Sequence, residues 1–188
     1  MQPAQDPDLT LLERIADGDR GAFETLYRRY HPRLYGYLLR LLRRPELVEE
    51  AVDDALFVVW RKAAGFQGAS RVSTWIFGIA YRKGLKALAR IDRWGSEVAA
   101  ETVREPVAEG GPEQDLATSE LAREIASALV RLPPDQRAVV EMTYYQNLPY
   151  REIAAIMECP VNTVKTRMFH ARRRLRELLP VLGLRREA

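Results

Sequence analysis

Apolar residues recur every three or four positions along most of the chain, and this spacing is typical of amphipathic helices. The most regular case lies between residues 161 and 178, where one apolar seam follows the whole predicted helix. Its members are Val161, Val164, Met168, Ala171, Leu175 and Leu178. No strand or hairpin signal competes convincingly with this pattern. The sequence therefore predicts an all-α fold.

The N-terminal part of the chain is predicted to be a series of helices with short breaks. The stretch "DLTLLERIADG" ends at Gly18, and Asp19 can cap the next helix by accepting a bond from a free backbone N–H. Pro32 follows within that helix, so a kink or a fresh start is expected there. Further helical periods follow in "RLYGYLLRLL", "ELVEEAVDDALFVVWRKA" and "VSTWIFGIAYRKGLKALARI".

A stretch rich in glycine, proline and acidic residues divides the chain. Residues 93–118 contain two basic and six acidic residues, a net charge of −4, and almost no large apolar side chains. Such a segment cannot bury enough surface to offset the entropy of ordering. We therefore predict two small helical domains, each with its own core, at residues 9–92 and 119–182. A flexible acidic linker joins them.

The C-terminal part ends in a short helix, a turn and a longer helix. The short helix starts at Pro149, a favoured first-turn residue, and the turn is predicted at residues 158–160. Small Ala154 lies where the two helices must cross closely. Earlier helices from Ser119 and Pro134 complete the module. This layout is typical of a helix-turn-helix.

The side of the last helix opposite the apolar seam carries polar, aromatic and basic side chains. From residue 160 to the end, eight basic residues oppose two acidic ones, a net charge of +6. Short polar groups and a methyl suit base edges in a DNA groove, and arginines suit phosphates or guanine. The alternative is a basic amphipathic helix whose charges only keep the surface solvated. The well-spaced helix and turn before it favour DNA binding.

Composition narrows the classes of function further. The net charge of +3, the 47% hydrophobic fraction and the 29% charged fraction are ordinary for a soluble globular protein. The lone Cys159 excludes an internal disulfide, and His31 and His170 lack metal-ligand spacing. We interpret Cys159 as a small buried apolar group, with redox sensing as the alternative. With no signal-peptide pattern and no membrane-spanning window, we expect a cytoplasmic protein without membrane insertion, metal or cofactor.

Three stretches of the chain carry a resemblance to a known family. They are "GDRGAFETLYRRYHPRLYGYLLRLL", "VEEAVDDALFVVWRKAAGFQGASRVSTWIFGIAYRKG" and "LVRLPPDQRAVVEMTYYQNLPYREIAAIMECPVNTVKTRMFHARRRLREL". Their order, with an acidic linker before the last, resembles the extracytoplasmic-function sigma factors, the two-domain group of the bacterial sigma-70 family. The resemblance implies a subunit that binds core RNA polymerase, directs it to promoter DNA in a stress or envelope response and helps to melt the DNA. It also implies control by an anti-sigma factor.

By this resemblance the C-terminal module recognises the −35 promoter element through the exposed side of its last helix. The residues implied are Asn162, Thr163, Lys165, Thr166, Arg167, Phe169, His170, Arg172, Arg173 and Arg174. We expect selectivity mainly from the polar and aromatic members before the arginine run. The run itself, residues 172–174, is expected to be the least selective part.

The resemblance assigns recognition and melting of the −10 element to a loop and the helix after it. The residues implied are Phe66, Gln67, Gly68, Ala69, Ser70, Arg71, Thr74, Trp75, Tyr81, Arg82 and Lys86. An aromatic pocket with cations along the phosphates can offset the cost of extruding a base. Trp75 and Phe77 are interpreted as mainly core packing. Gly78 and Arg82 replace the arginine and asparagine usual in the family, so the −10 preference is not predicted.

An acidic helix face is implied to contact the polymerase clamp helices. It carries Glu49, Glu50, Asp53 and Asp54, opposite the apolar side. With a basic partner, these acids would steer association and fix register more than add affinity. A merely solvated acidic face is the alternative, and Asp53 stands where the family commonly has glutamine. The acidic linker is implied to thread toward the RNA exit path, although plain disorder fits its composition equally.

Two other classes of function stay open in the sequence. A free-standing helix-turn-helix repressor or activator would bind duplex DNA through the C-terminal module alone, usually as a symmetric dimer. Such a regulator does not need an acidic helix followed by an aromatic and basic loop. An enzyme would need a convergent set of nucleophile, base or metal ligands, and none is visible in the sequence. The sigma-factor hypothesis is therefore preferred.

Overall fold

The computed structural model describes residues 6–94 and 112–179, and within these ranges it contains eight α-helices and no strand. They are α1 (Leu9–Ala16), α2 (Arg20–Leu42), α3 (Pro45–Lys62), α4 (Val72–Trp94), α5 (Pro112–Val130), α6 (Pro134–Tyr144), α7 (Tyr150–Ile156) and α8 (Val161–Leu178), with a 3-10 turn at Ala63–Gly65. The all-α prediction is confirmed. Among these helices, none combines the length and the apolarity needed to cross a bilayer.

Local side-chain chemistry sets the break between α1 and α2. Gly18 has a φ of +88°, in the left-handed region that favours glycine, and it follows the end of α1. The Asp19 carboxylate then accepts a hydrogen bond of 3.0 Å from the backbone N–H of Ala22. This bond, together with that from the Arg14 guanidinium, lowers the pKa of Asp19. The predicted cap of α2 is confirmed.

Helix α2 runs through Pro32 without starting again. The expected fresh start is therefore wrong. Tyr30 before the proline and Leu34 after it are both fully buried, so the same core holds both halves of the helix. Their burial offsets the backbone hydrogen bond that proline cannot donate.

Helices α2, α3 and α4 pack around aromatic and aliphatic side chains. Tyr37 and Phe77 are fully buried, and their ring centroids lie 5.8 Å apart in an edge-to-face arrangement. Gly84 lets α4 lie close to α2, since a Cβ at this position would be 2.8 Å from Leu38 Cδ2. This close packing fixes α4, whose first half carries the predicted −10 residues.

Arg137 of α6 holds the C-terminal module together from within. It is 8% exposed, and its guanidinium donates to the carbonyl oxygens of Leu129 at 3.0 Å, Val130 at 2.6 Å and Leu132 at 3.0 Å. A further bond of 3.1 Å reaches the carbonyl oxygen of Leu41 at the end of α2. Burial lowers the pKa of Arg137, but a guanidinium stays charged because its ordinary pKa is far above neutrality.

The structure corrects both ends of the predicted linker, 93–118. Helix α4 extends to Trp94, and α5 begins at Pro112 rather than at Ser119. Proline suits this first turn because its missing N–H would have no partner within the helix. The rest of the predicted linker, residues 95–111, lies outside the described residues.

The two modules share one core. Buried residues of α2 and α4, such as Leu38 and Phe77, belong to the same contiguous apolar cluster as Val139 and Met142 of α6. The expectation of a separate core in each module is therefore corrected. The physical reason is that α7 packs on α4 and α6 packs on α2. Small helical modules bury more apolar surface together than apart.

Candidate nucleic-acid interface

The turn between α7 and α8 is closed by the backbone. Glu158 has a φ of +52°, in the left-handed region common after a helix end. The N–H of Cys159 donates to the carbonyl oxygen of Ala154 at 3.0 Å, which satisfies one of the last carbonyls of α7. Pro160 then leads directly into α8. The predicted helix-turn-helix is confirmed.

The apolar seam of α8 holds this helix against the rest of the module. Val164, Met168 and Ala171 are buried, and Val161 and Leu175 are half-buried against the same core. Because these positions fix the rotation of α8, the opposite side faces outward. The seam predicted from the spacing of apolar residues is confirmed at these five positions, while Leu178, its last predicted member, is half-buried.

The outward side of α8 is open and chemically mixed. Phe169 is 63% exposed, which is unusual for so apolar a side chain. The Thr166 hydroxyl donates to the carbonyl oxygen of Asn162 at 2.9 Å, so the methyl is the group free to face a partner. Arg172 donates to the Tyr144 hydroxyl at 2.9 Å. The other predicted −35 residues on this side are the exposed Lys165, Arg173 and Arg174 and the half-buried Thr163 and His170.

Arg167, also predicted to contact DNA, is engaged within the module. Its Nε lies 2.8 Å from a carboxylate oxygen of Asp135 in α6. Its Nη1 lies 3.6 Å from the sulfur of Cys159, which is half-buried. Arg167 thus joins α8 to α6 and to the turn. In the sequence it was indistinguishable from its neighbours, because its partner is 32 residues away.

Two aromatic rings, one in the loop before α4 and one in the first turn of α4, lie beside exposed loop residues. Phe66 and Trp75 are half-buried, with ring centroids 5.2 Å apart. Residues 67–69 between them are exposed. Gly68 has a φ of +68°, which favours glycine and turns the loop. Two of the predicted −10 aromatics are therefore brought together at the edge of the N-terminal module.

A residue outside the predicted site fixes the start of α4. The Asp6 carboxylate accepts a bond of 2.6 Å from the N–H of Val72 and one of 3.1 Å from the N–H of Asp8. Asp8, which is buried, in turn binds the side chains of Arg29 and Tyr30. Asp6 therefore anchors the loop and helix of the predicted −10 site. In the sequence, the indication of this role is that aspartate is a common helix-capping residue.

The C-terminal module covers two of the predicted −10 residues within α4. Thr74 is 3% exposed and its hydroxyl donates to Glu152 of α7 at 2.7 Å. Tyr81 is also buried, and this burial raises the pKa of its hydroxyl. At the rim, Arg71 lies 3.6 Å from Glu152, and Arg82 donates to Glu158 at 2.8 Å. Lys86 and Ser70 lie nearer the ends of this surface, exposed and half-buried.

The four predicted acids of α3 are exposed, but each has a neighbour within the N-terminal module. Asp53 accepts a bond of 3.1 Å from the Tyr27 hydroxyl, and Glu49 lies 3.4 Å from His31 Nε2. On the other flank, Asp54 pairs with Lys83 at 2.8 Å and Glu50 with Arg90 at 2.6 Å. Partial burial, then the bond to Asp53, raises the pKa of Tyr27. The α3 face is therefore a set of hydrogen-bonded charges rather than a bare acidic stripe.

An aromatic ladder on α2 borders these acids and was not singled out in the sequence. Tyr27 and His31 stack with ring centroids 5.0 Å apart, and Tyr35 continues the stack 6.2 Å further on. Phe23 precedes them, 6.1 Å from Tyr27. The spacing of four residues is the signal that could have revealed it. Together, the ladder and the α3 acids form one mixed surface.

Metal ligation receives no support within residues 6–94 and 112–179. In these ranges, no group of three or more histidine, cysteine, aspartate or glutamate side chains is placed to hold a metal ion. His31 lies in α2 and His170 in α8, in different modules. The features that stand out in the described structure are surfaces suited to macromolecules.

Family models support this reading of the two modules. Models for sigma-70 region 2 and sigma-70 region 4 match residues 26–94 and 122–175. The extracytoplasmic-function (ECF) RNA polymerase sigma-E factor of Haemophilus influenzae is 31% identical, covering 88% of this chain and 91% of its own length. The ECF sigma factor SigK of Mycolicibacterium vanbaalenii is 32% identical, with coverages of 91% and 88%.

Solved structures agree with these matches. The sigma factor RpoE of Bartonella quintana, determined with the anti-sigma factor NepR, aligns with a TM-score of 0.70 and 25% identity over 85% of this chain and 97% of its own. CnrH, determined with the cytosolic domain of CnrY, has the same fold, with a TM-score of 0.69, 24% identity and coverages of 93% and 97%. The chain belongs to the sigma-70 family, in its extracytoplasmic-function group.

Proposed function

We propose that this chain directs core RNA polymerase to promoters, with its C-terminal module on the −35 element and its N-terminal module on the −10 element. The observation that carries the proposal is the presence of two unlike surfaces in one chain. An open groove-fitting helix, α8, occurs together with the mixed acidic and aromatic surface of α2 and α3. A free-standing regulator needs only the first of these surfaces.

Recognition of the −35 element is assigned to the outward side of α8. The buried seam leaves this side free to enter a major groove, which admits one α-helix. Phe169 and the Thr166 methyl are apolar groups suited to a thymine methyl. Arg173 and Arg174, both exposed, would hold phosphates and so position the helix without selecting a sequence.

Opening of the −10 element is assigned to the loop at residues 66–71 and the first half of α4. An extruded base loses its stacking in the duplex, and the rings of Phe66 and Trp75 offer an aromatic surface that replaces it. Arg71 and Lys86 are exposed cations that suit the phosphates. The Asp6 cap supports this role by holding the start of α4 in place.

Core polymerase is assigned to the α3 acids and the adjoining α2 ladder. Basic residues of the polymerase must displace Lys83 and Arg90, because these side chains already form ion pairs with Asp54 and Glu50. The net gain from each exchanged exposed pair is small, on the order of 1 kcal/mol or less. These charges therefore determine how the two surfaces align when they dock. The aromatic ladder supplies apolar contact area.

Two further parts of the proposal concern regulation and location. The solved structure of the Bartonella relative holds an anti-sigma factor, which supports an anti-sigma partner for this chain as well. Action on DNA with core polymerase places the chain in the bacterial cytoplasm. No chemistry of its own is assigned to it, since the polymerase supplies the catalytic site.

In vitro transcription tests the proposal. Core polymerase is incubated with a genomic fragment library, with and without the chain, and transcript 5′ ends are mapped. We expect new start sites that share upstream elements and that require both components. If core polymerase with the chain gives the same ends as core alone, while the chain alone shifts a palindromic duplex, the function is that of a free-standing regulator.

A pair of matched variants separates polymerase binding from DNA binding. The variant Glu49→Arg/Asp53→Arg reverses two acids of the α3 face and is expected to lose the new start sites while still binding −35 duplex. The control Glu13→Arg/Glu124→Arg makes the same charge change at exposed positions in α1 and α5. Equal transcription by both variants would refute the assignment of this face to the polymerase.

A further inference from the structure

The end of α6 lies beside the outward side of α8. Tyr144 is the last residue of α6 and is 55% exposed. Its hydroxyl accepts a hydrogen bond of 2.9 Å from Arg172 Nη2, and the guanidinium carbon of Arg172 lies 5.9 Å from the centroid of the Tyr144 ring. An exposed arginine of α8 is thus tied to a side chain outside the helix-turn-helix.

The core of the module fixes the backbone that carries Tyr144. Met142, two residues earlier, is fully buried, and the N–H of the buried Leu148 donates to the carbonyl oxygen of Met142 at 3.0 Å. The Thr143 hydroxyl donates to the carbonyl oxygen of Val139 at 2.7 Å. Groups carried by a packed helix are held more precisely than groups on a loop. Tyr144 therefore offers its ring and hydroxyl to Arg172 from a fixed position.

Arg172 is held by a neutral partner, and this distinguishes it from Arg167. Arg167 pairs with the carboxylate of Asp135, so its charge is offset within the module. Among the described residues, no carboxylate pairs with Arg172. The phenol of Tyr144 restrains the guanidinium without cancelling its charge, and most of the N–H donors of the guanidinium stay available. Arg172 is therefore an ordered cation that can still bind an anion.

The Tyr144 hydroxyl is also able to donate. A phenol carries one hydrogen and accepts at its oxygen, and here the oxygen already accepts from Arg172. Within the part of the chain that the structure describes, the hydroxyl hydrogen has no acceptor. Both side chains are exposed. Adjacent donors that carry one positive charge between them suit a phosphate group.

The position of Arg172 along α8 favours a phosphate over a base. It lies one helical turn beyond Phe169 and two turns beyond Lys165, on the same exposed side. In helix-turn-helix proteins, the N-terminal residues of the recognition helix reach the base edges. Arg172 belongs to the second half of α8, and the end of α6 stands next to it. This arrangement fits the edge of the groove, where the DNA backbone runs.

We propose that Tyr144 extends the −35 interface to α6: it holds the Arg172 guanidinium in place, and both side chains donate to the same DNA phosphate. Tyr144 is thus a positioning residue for Arg172 and a phosphate ligand itself. A side chain ordered before binding loses less entropy when it binds. The inference rests on the proposed function, because it takes α8 as the helix that enters the −35 groove.

A scan with neutral phosphates tests this contact. The −35 duplex of a promoter identified by transcript mapping is made with one methylphosphonate at a time, and the affinity of the full chain is measured by fluorescence anisotropy. In the wild type, neutralising one phosphate should weaken binding about ten-fold. In Arg172→Ala this cost should vanish, and in Tyr144→Phe, which keeps the ring, it should shrink. The control Arg173→Ala should keep the cost at this phosphate.

Salt dependence separates the roles of the two side chains. Arg172→Ala should reduce the slope of log affinity against log salt by about 1, because one cation no longer releases a counterion from the DNA. Tyr144→Phe should keep the slope and lose about five-fold in affinity, because it removes hydrogen bonds but no charge. The control Tyr35→Phe, at a half-buried position in α2, should bind as the wild type does. Equal urea midpoints show that the variants are folded.

Three results overturn the inference. One is wild-type affinity in Tyr144→Phe. Another is an equal methylphosphonate cost in the wild type and both variants, because a purely structural role for Tyr144 weakens binding without changing that cost. The third is a loss in Arg172→Ala that appears at one base pair only, which means that Arg172 reads a base. If the wild type binds a shuffled duplex as tightly as the −35 duplex, the proposed function fails. The scan on the shuffled duplex then still reports on this contact, since phosphate contacts carry no sequence information.

Discussion

Arg40 of α2 and Glu141 of α6 form an ion pair across the boundary between the two modules. The Glu141 side chain is fully buried, and that of Arg40 is 19% exposed. The guanidinium carbon of Arg40 also lies 4.0 Å from the centroid of the Tyr145 ring. Removing one member of a buried pair leaves the other charge in a medium of low polarity, which is strongly unfavourable. The packing of the two modules against each other therefore depends on Arg40.

Replacement of Arg40 by alanine should separate the two modules. Leaving Glu141 buried without this guanidinium costs about 3 kcal/mol, and separation of the modules relieves the cost by hydrating the carboxylate. Small-angle X-ray scattering should show a larger radius of gyration than that of the wild type. The control Arg28→Ala breaks an exposed pair with Glu24, worth less than about 1 kcal/mol. An unchanged radius in Arg40→Ala would show that this pair does not hold the modules together.

Arg137→Lys should destabilise the C-terminal module although it keeps the charge. The guanidinium reaches four backbone carbonyl oxygens, and an ammonium group cannot reproduce that planar fork. Carbonyls that lose this buried donor give an expected loss of about 3 kcal/mol in the free energy of unfolding. Urea unfolding measures it, with Arg131→Lys, at an exposed position, as the control. Equal free energies of unfolding for the two variants would show that the Arg137 guanidinium does not stabilise the C-terminal module.

The contact of Thr166 with DNA should be made by its methyl group. Because the hydroxyl is bonded to Asn162, Thr166→Val keeps the group that faces outward, whereas Thr166→Ser loses it. We expect the serine variant to lose about 1 kcal/mol of preference at one −35 base pair and the valine variant to keep it. Fluorescence anisotropy with single-substituted duplexes checks this. The reverse order would mean that the hydroxyl makes the contact.

The cap of α2 should make stability depend on acid pH. The bond from the Ala22 N–H, then that from Arg14, lowers the pKa of Asp19 below its ordinary value of 3.8. A group with a depressed folded pKa contributes stability above the unfolded value and loses it as the pH falls through the folded value. The stability difference between wild type and Asp19→Asn should therefore shrink as the pH falls below 3.8. Urea midpoints at several pH values measure it, and a constant difference contradicts the assignment.

Local features of the sequence predicted much of this fold. The seam of α8 and the Asp19 cap depend on residues within a few turns of each other, so spacing and residue type were sufficient. The continuation of α2 through Pro32 depends on burial of Tyr30 and Leu34 by other helices. Rules based on neighbouring residues in the sequence do not include this burial by distant helices.

Long-range packing accounts for what the sequence did not predict. Thr74 and Tyr81 have residue types suited to DNA, but both are buried where the C-terminal module, distant in the sequence, packs on α4. Arg137 and Arg167 look like surface cations by type, and only the positions of their partners show their structural roles. Which face of α4 is covered depends on how the modules meet, and periodicity within one helix carries no information about that.

Permanganate footprinting of a promoter shows whether the chain and core polymerase open the DNA together, because permanganate reacts with unpaired thymines. A promoter identified by transcript mapping is probed with core polymerase, with the chain, and with both. We expect reactive thymines around the −10 element only when both are present. Reactivity with core polymerase alone, or duplex binding by the chain that core polymerase never converts to an open complex, would contradict it.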